Sequence, residues 1–191
     1  PCLNPDGYMY NQLIEPNGGG MWRKNRRDNL DGEFGVDLNR NYDYFWGFDD
    51  TGSAPNTDGE TYRGTGPFSE PETQAISNFS IARDFKFALN YHTYGNHLVQ
   101  PYGYLPDLMP EDSSAYSIYG NSIAKENHYH VGTPNQTVNY VTNGSSDDWM
   151  YGEQSTKAKI YAWTPEVGFG TDGFWPAPNR IIPLANDNIY A

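Results

Sequence analysis

Two arginines set among amide side chains are the residues whose types and spacing suggest chemistry. They are Arg23, in Met21-Trp22-Arg23-Lys24-Asn25-Arg26, and Arg40, in Val36-Asp37-Leu38-Asn39-Arg40-Asn41-Tyr42. A guanidinium presents a planar fork of donors that matches a carboxylate or a developing oxyanion, and flanking amides add neutral donors. His92 closes the run Phe85-Lys86-Phe87-Ala88-Leu89-Asn90-Tyr91-His92, where a neutral imidazole could hold a metal beside those donors. Glu166 ends Lys159-Ile160-Tyr161-Ala162-Trp163-Thr164-Pro165-Glu166. A catalytic zinc normally takes three protein ligands, yet the chain has no His-x-x-Glu or His-Glu-x-x-His pair.

These residues need elements to carry them. The alternation in 85–92 and 159–166 predicts two strands, the first buried and each delivering its last residue at its carboxyl end; Leu98-Val99-Gln100-Pro101-Tyr102 predicts a third, stopped by proline. In open α/β sheets functional groups gather at such ends. Ser69-Glu70-Pro71-Glu72 predicts a helix start, with Ser69 as N-cap, Glu72 completing a capping box, and Ala75, Ile76, Phe79, Ile81 and Ala82 forming the apolar face up to Arg83-Asp84. Residues 112–130 and the segment from Ile181-Ile182-Pro183 onward predict two further helices. Residues 1–70 are rich in Asn, Asp, Gly, Pro and aromatics, so they predict loops with short helices, and the opening Pro1-Cys2-Leu3-Asn4-Pro5-Asp6-Gly7 reads as a loop after a strand.

Composition narrows the partners. The 191 residues are 37% hydrophobic and 16% aromatic, with 20 Gly and 14 Pro, which fits one loop-rich α/β domain. A formal charge of -12 disfavours nucleic acid and anionic membranes as partners. No segment approaches the ~20 apolar residues of a membrane span. The single cysteine, Cys2, excludes an internal disulfide. The local basic cluster Arg23, Lys24, Arg26 and Arg27 reads either as part of a site or as a solvated turn. His97, His128 and His130 match no motif, and the last two read as solvated helix-end residues.

The ordered series Asn4-Pro5-Asp6-Gly7, Trp22-Arg23-Lys24, Asp37-Leu38-Asn39-Arg40-Asn41, Glu60-Thr61-Tyr62-Arg63-Gly64, Ser69-Glu70-Pro71-Glu72, His92-Thr93-Tyr94, Ser146-Asp147-Asp148-Trp149 and Thr164-Pro165-Glu166 resembles the M14 family of zinc metallocarboxypeptidases, in its bacterial members especially. The resemblance implies an α/β fold, a mixed β-sheet flanked by helices, and removal of C-terminal residues from peptides by zinc-activated water. It implies roles for individual residues: Glu166 as general base, Arg23 as oxyanion stabiliser, His92 as a Zn2+ ligand, and Asn39 and Arg40 as grips on the substrate carboxylate. Tyr94 and Tyr140 become substrate contacts, Tyr140 on a glycine-containing loop that lets it cover the substrate. Asp147 falls at the base of the specificity pocket, which implies preference for C-terminal Lys or Arg, with mixed specificity left open and Asp148 read as structural. Secretion, or a periplasmic location, is implied by the family alone.

The family's His-x-x-Glu pair lies in a segment preceding Asn4-Pro5-Asp6-Gly7, so the resemblance implies the C-terminal portion of a catalytic domain, completed by an N-terminal segment that supplies the remaining ligands. Without that segment the chain is expected to hold little zinc, to be inactive and to expose an apolar sheet edge. The rival readings are a non-catalytic module of the same fold that binds peptide C-termini, and, more distantly, a carbohydrate-binding protein suggested by the abundant Tyr and Trp.

Overall fold

The computed structural model describes residues 2–189. Its centre is a four-stranded mixed sheet in the order β1-β4-β2-β3, formed by β1 (Phe87–Leu89), β2 (His97–Val99), β3 (His130–Gly132) and β4 (Tyr161–Glu166). Strand β4 pairs in parallel with β1, with Leu89 beside Trp163, and antiparallel with β2, with Val99 beside Thr164. Strand β2 pairs in parallel with β3.

Alternation along β4 divides the core. Trp163 joins Leu98, Tyr102, Tyr104, Tyr116, Tyr129 and Tyr151 in one buried cluster, reached by helix α3 (Ser113–Ile123), while Ala162 joins Tyr42, Trp149, Met150 and Ile160 in the other, reached by helix α5 (Ser146–Gly152). The helices thus flank the sheet as expected, because successive strand residues face opposite sides. Aromatic rings fill much of this core in edge-to-face and tilted pairs, such as Tyr116 with Trp163 at 4.8 Å between ring centroids.

Several local expectations are corrected. Helix α1 (Pro5–Ile14) begins where a loop was expected: the Asn4 side chain caps it by accepting from Gly7 N–H at 3.0 Å, and Pro5 needs no N–H donor there. Pro1 itself lies outside the described residues. Helix α2 (Pro71–Ile81) is not capped by Ser69; Glu70 is the N-cap, without a side-chain cap bond. Ser69 is taken up elsewhere, its hydroxyl accepting from Asn41 Nδ2 at 2.9 Å and donating to Glu70 Oε1 at 2.7 Å. The predicted apolar face of α2 holds only in part: Ile76 packs against the second core cluster, but Thr73, Ser77 and Ser80 are buried while Phe79 and Ile81 are exposed. Small hydroxyl residues allow close backbone approach, and Thr73 Oγ1 donates inward to Asn41 Oδ1 at 2.7 Å.

Strand β1 is short and not buried, with Phe87 51% exposed, because only one of its edges is paired among the described residues. An apolar hollow of about 250 Å³ opens there between Phe87, Leu89 and Trp163 of the sheet and Tyr119 and Ile123 of α3. Helix α3 stops at Ile123, so His130 lies in β3 instead of at a helix end. The last helix, α6 (Pro178–Asp187), starts earlier than expected and contains Pro183. Helix α4 (Pro134–Thr137) is a single turn, closed by a capping box between Thr133 and Gln136. No helix is long and apolar enough to cross a membrane among the described residues.

Candidate active site

Strand pairing brings the two strand-end residues together. Beyond β1 the chain keeps its parallel course beside β4: His92 N–H donates to Pro165 O at 2.9 Å, Val167 N–H donates to His92 O at 2.9 Å, and His92 bridges to Glu166. Glu166 and Thr164 point to the α5 side of the sheet, as does Val99 opposite Thr164. There they line one cavity of about 50 Å³ together with Arg23, Asn39, Arg40, His92, Tyr140, Asp147 and Asp148. Seven of the eight candidate site residues therefore share a single space. Tyr94 is the exception: it stands outside the cavity lining and packs edge-to-face on Phe174, at 4.9 Å between centroids.

The arginines are positioned by different means. Asn4 Nδ2 donates to the carbonyls of Arg23 and Lys24, both at 3.0 Å, so the cap of α1 also fixes the Arg23 segment. The guanidinium of Arg23 then pairs with Asp37 at 2.7 Å, which raises its pKa and leaves it partly open to solvent. Asp37 does double service, because its other oxygen accepts from Asn39 N–H at 3.1 Å and caps the 3-10 turn Leu38–Arg40. The motif reading gave Asp37 no role of its own, although an Asp two residues before Asn39 is a cap signal.

Arg40 is only 3% exposed and has no carboxylate partner within ion-pair distance among the described residues. One amino group donates to Asn39 O at 2.6 Å, while Nε is enclosed without an acceptor among the described residues. Burial lowers its pKa, against the pull of Asp37. Asn39 Oδ1 accepts from Ser146 N–H at 2.9 Å, tying the turn that carries Arg40 to the start of α5.

Three carboxylates face these cations. Burial pushes Glu166 up to about 7, with Asp147 adding to the effect and the two arginines opposing it. Burial likewise pushes Asp147 up to about 6, against hydrogen bonds from Thr164 Oγ1 at 2.6 Å and Asn90 Nδ2 at 2.6 Å. Asp148 is pushed up to about 7 by burial and is held by Gly103 N–H, 3.0 Å from both of its oxygens, which accounts for the structural reading of that residue. The His92 ring is partly exposed into the cavity, yet burial pushes it down to about 4, leaving a neutral imidazole at pH 7.

A neutral imidazole suits one position around zinc, which takes three protein ligands in catalytic sites. Among the described residues no group of three or more His, Cys, Asp or Glu side chains could hold a metal ion. The donor set described here does not by itself fit the ion.

The loop carrying Tyr140 is less free than its glycine suggested. Gly144, at φ +66°, packs so closely that a Cβ there would lie 2.6 Å from Arg40 O, and its carbonyl accepts from Tyr42 N–H at 3.0 Å. Asn143 is fully buried, with Nδ2 donating to Asp49 Oδ1 at 2.9 Å. Gly144 therefore anchors the loop instead of hinging it, and Tyr140, 50% exposed, lies on the open side of that anchor.

Three members of the basic cluster do not reach the cavity. Lys24 Nζ donates to Thr57 O at 2.8 Å, Arg27 pairs with Glu70 at 2.7 Å, and Arg26 sits over Tyr10, Trp22 and Phe34 at 3.8, 4.4 and 4.7 Å from their centroids.

Known proteins resemble this chain in sequence and in fold. The zinc carboxypeptidase family model, Peptidase_M14, matches residues 1–191. A metallocarboxypeptidase A-like protein of Trichophyton verrucosum is 32% identical over 203 residues, covering 98% of this chain and 44% of that protein. Carboxypeptidase B of Astacus astacus is 30% identical over 197 residues, covering 98% of this chain and 62% of that protein. Human mast cell carboxypeptidase A is 36% identical over 202 residues, covering 100% of this chain and 45% of that protein. Among solved structures, bovine thrombin-activatable fibrinolysis inhibitor in complex with tick carboxypeptidase inhibitor superposes with a TM-score of 0.81 at 28% identity, over 97% of this chain and 62% of that one. Carboxypeptidase A from Helicoverpa armigera gives a TM-score of 0.80 at 26% identity, over 98% and 47%. The chain spans about half the length of the curated relatives it matches. By the family model and by its relatives, the chain belongs to the zinc carboxypeptidase family, Peptidase_M14.

Proposed function

We propose that this chain is the substrate-binding and proton-transferring part of a metallocarboxypeptidase that hydrolyses the last peptide bond of peptides ending in Lys or Arg. The observation that carries the reading is Arg40, a buried guanidinium whose Nε has no partner among the described residues, in the same cavity as Glu166 and His92. Leaving a buried cation unpaired is costly unless a ligand supplies the anion. The free carboxylate of a peptide C-terminus is such an anion, and a planar fork binds both its oxygens. The Asn39 amide adds a neutral donor beside it.

In this reading Arg23, half-open and held by Asp37, faces the carbonyl of the scissile bond and stabilises the oxyanion that forms there; such a donor is typically worth ~3 kcal/mol of barrier. Glu166 takes a proton from the attacking water and delivers it to the leaving amine, a role matched by a carboxylate with a pKa of about 7. Tyr140 covers the bound residue and excludes water. Asp147, buried without a cation, supplies the negative end of a pocket for the C-terminal Lys or Arg side chain. His92 offers the ligand that this chain contributes to zinc. A secreted or periplasmic location, and a complementary N-terminal segment as partner, belong to the same reading and rest on family membership.

Calorimetry with N-acetyl-L-arginine and its C-terminal amide tests this on the purified protein. The acid is expected to bind at least tenfold more tightly than the amide, and Arg40→Met is expected to erase the difference. Equal binding of acid and amide by the unaltered protein would overturn the proposal. A second reading, a binding module without catalysis, is favoured by the absence of a three-ligand group among the described residues. Chelator-sensitive hydrolysis of a peptide substrate would exclude it.

A further inference from the structure

Within the cavity one polar side chain has no hydrogen-bond partner for its oxygen among the described residues and no assigned task. Gln100 follows β2, is 5% exposed, and lines the cavity alongside Asp147 and Thr164. Its backbone is fixed, with N–H donating to Gly132 O at 2.9 Å. Its Oε1, however, has no donor among the described residues. Leaving such a carbonyl oxygen unpaired is destabilising, so its place in a cavity wall points to a donor brought by a ligand.

The neighbouring acceptors show what that donor can be. Asp148 is already held by Gly103 N–H at both oxygens, and each oxygen of Asp147 already accepts one hydrogen bond, from Thr164 or Asn90. No cation of the described residues pairs with Asp147 or Asp148. The open acceptor capacity therefore comprises the remaining lone pairs of Asp147, on α5, and the amide oxygen of Gln100, after β2. A guanidinium carries five N–H donors spread around a plane and can bond two acceptors on separate elements, whereas an ammonium is a compact point charge.

We infer that Gln100 is a specificity-determining residue: its amide oxygen accepts an N–H from the end of the substrate's C-terminal side chain, and it favours Arg over Lys. The inference rests on the reading of this cavity as a site for C-terminal residues with cationic side chains, and adds to it a group that discriminates between the two cations.

The test uses calorimetry with N-acetyl-L-arginine, N-acetyl-L-lysine and N-acetyl-L-norleucine at pH 8, on the unaltered protein and on Gln100→Leu, Gln100→Glu and Asp147→Asn. Gln100→Leu is expected to weaken arginine binding about tenfold, lysine about threefold and norleucine less than twofold. Gln100→Glu keeps an acceptor at the position and is expected to bind arginine at least as well as the unaltered protein. Loss of the arginine preference in Asp147→Asn but not in Gln100→Leu would overturn the role of Gln100 and leave the site reading standing. An equal loss for all three ligands in Gln100→Leu would mark a structural residue and overturn it too, as would weaker arginine binding in Gln100→Glu. Equal binding of all three ligands by the unaltered protein would overturn the cationic-pocket reading along with the inference.

Discussion

Two buried polar regions lie side by side and obey opposite rules. Around Glu70 the charges are matched: its carboxylate, 1% exposed, accepts from Arg27 at 2.7 Å, Asn25 at 2.8 Å and Ser69 at 2.7 Å, while Arg26 is boxed by three aromatic rings. In the cavity Arg40 and Asp147 are also buried, but among the described residues neither has an ion-pair partner and Arg40 Nε has no hydrogen-bond partner. The contrast separates scaffold from site more sharply than residue type does, since both regions use arginine and carboxylate. Buried charges that satisfy one another hold the loops; buried charges without an ion-pair partner are where a ligand is proposed to bind.

On this contrast, Glu70→Ala leaves the partly exposed Arg27 without its acceptor and Asn25 with Glu72 alone, and destabilises the fold by roughly 1–3 kcal/mol. A urea denaturation midpoint that does not move would collapse the contrast. Arg40→Met should do the reverse, leaving stability unchanged or raised while binding of N-acetyl-L-arginine falls about 100-fold, or ~2.7 kcal/mol. Parallel melting and calorimetry would show whether those two effects separate.

The acidic side of the cavity sharpens the comparison through pH. Asp147 has its pKa raised to about 6, so the carboxylate is neutralised as pH falls below that value. The ratio of arginine to norleucine affinities should fall about tenfold, ~1.4 kcal/mol, between pH 7.5 and pH 5. Taking the ratio cancels titrations that affect both ligands alike; a flat ratio would remove Asp147 from the pocket's charge. The same shift has a stability consequence of opposite sense. Because the folded pKa lies above the ordinary value of 3.8, the group favours folding below pH 4 and loses that contribution as pH rises through 6. The smallest effect is expected at Arg26→Ala, which should cost roughly 1 kcal/mol of stability through lost stacking and leave ligand binding unchanged. A change in affinity there would assign the whole basic cluster to the site.

Much of the site was legible because its residues sit at strand ends or in short local motifs. The run ending at Glu166 could be read as a strand from alternation, whereas of the run 85–92 only Phe87–Leu89 is strand and His92 lies beyond it on an isolated bridge. Local reading failed where a side chain had a distant claimant. Ser69 looked like a helix cap but is bound by Asn41, and the small residues of α2 turned inward because Asn41 receives Thr73 there. Gly144 resembled a hinge until its backbone was seen pressed on Arg40 and Tyr42. Gln100 carried no motif signal, because an unpaired amide oxygen is a property of its surroundings.

What the sequence determined by itself is the inventory: two arginines among amides, a histidine and a glutamate ending apolar runs, and paired aspartates at a helix start. These are local choices of residue type, and they suffice to indicate the chemistry. Only the tertiary structure decided who meets whom. His92 stands beside Glu166 through a parallel bridge spanning 74 residues of chain, and Arg27 finds Glu70 across 43. Whether a buried charge is neutralised within the protein or left for a ligand depends on those long-range pairings, because electrostatic satisfaction belongs to positions in space and not to positions along the chain.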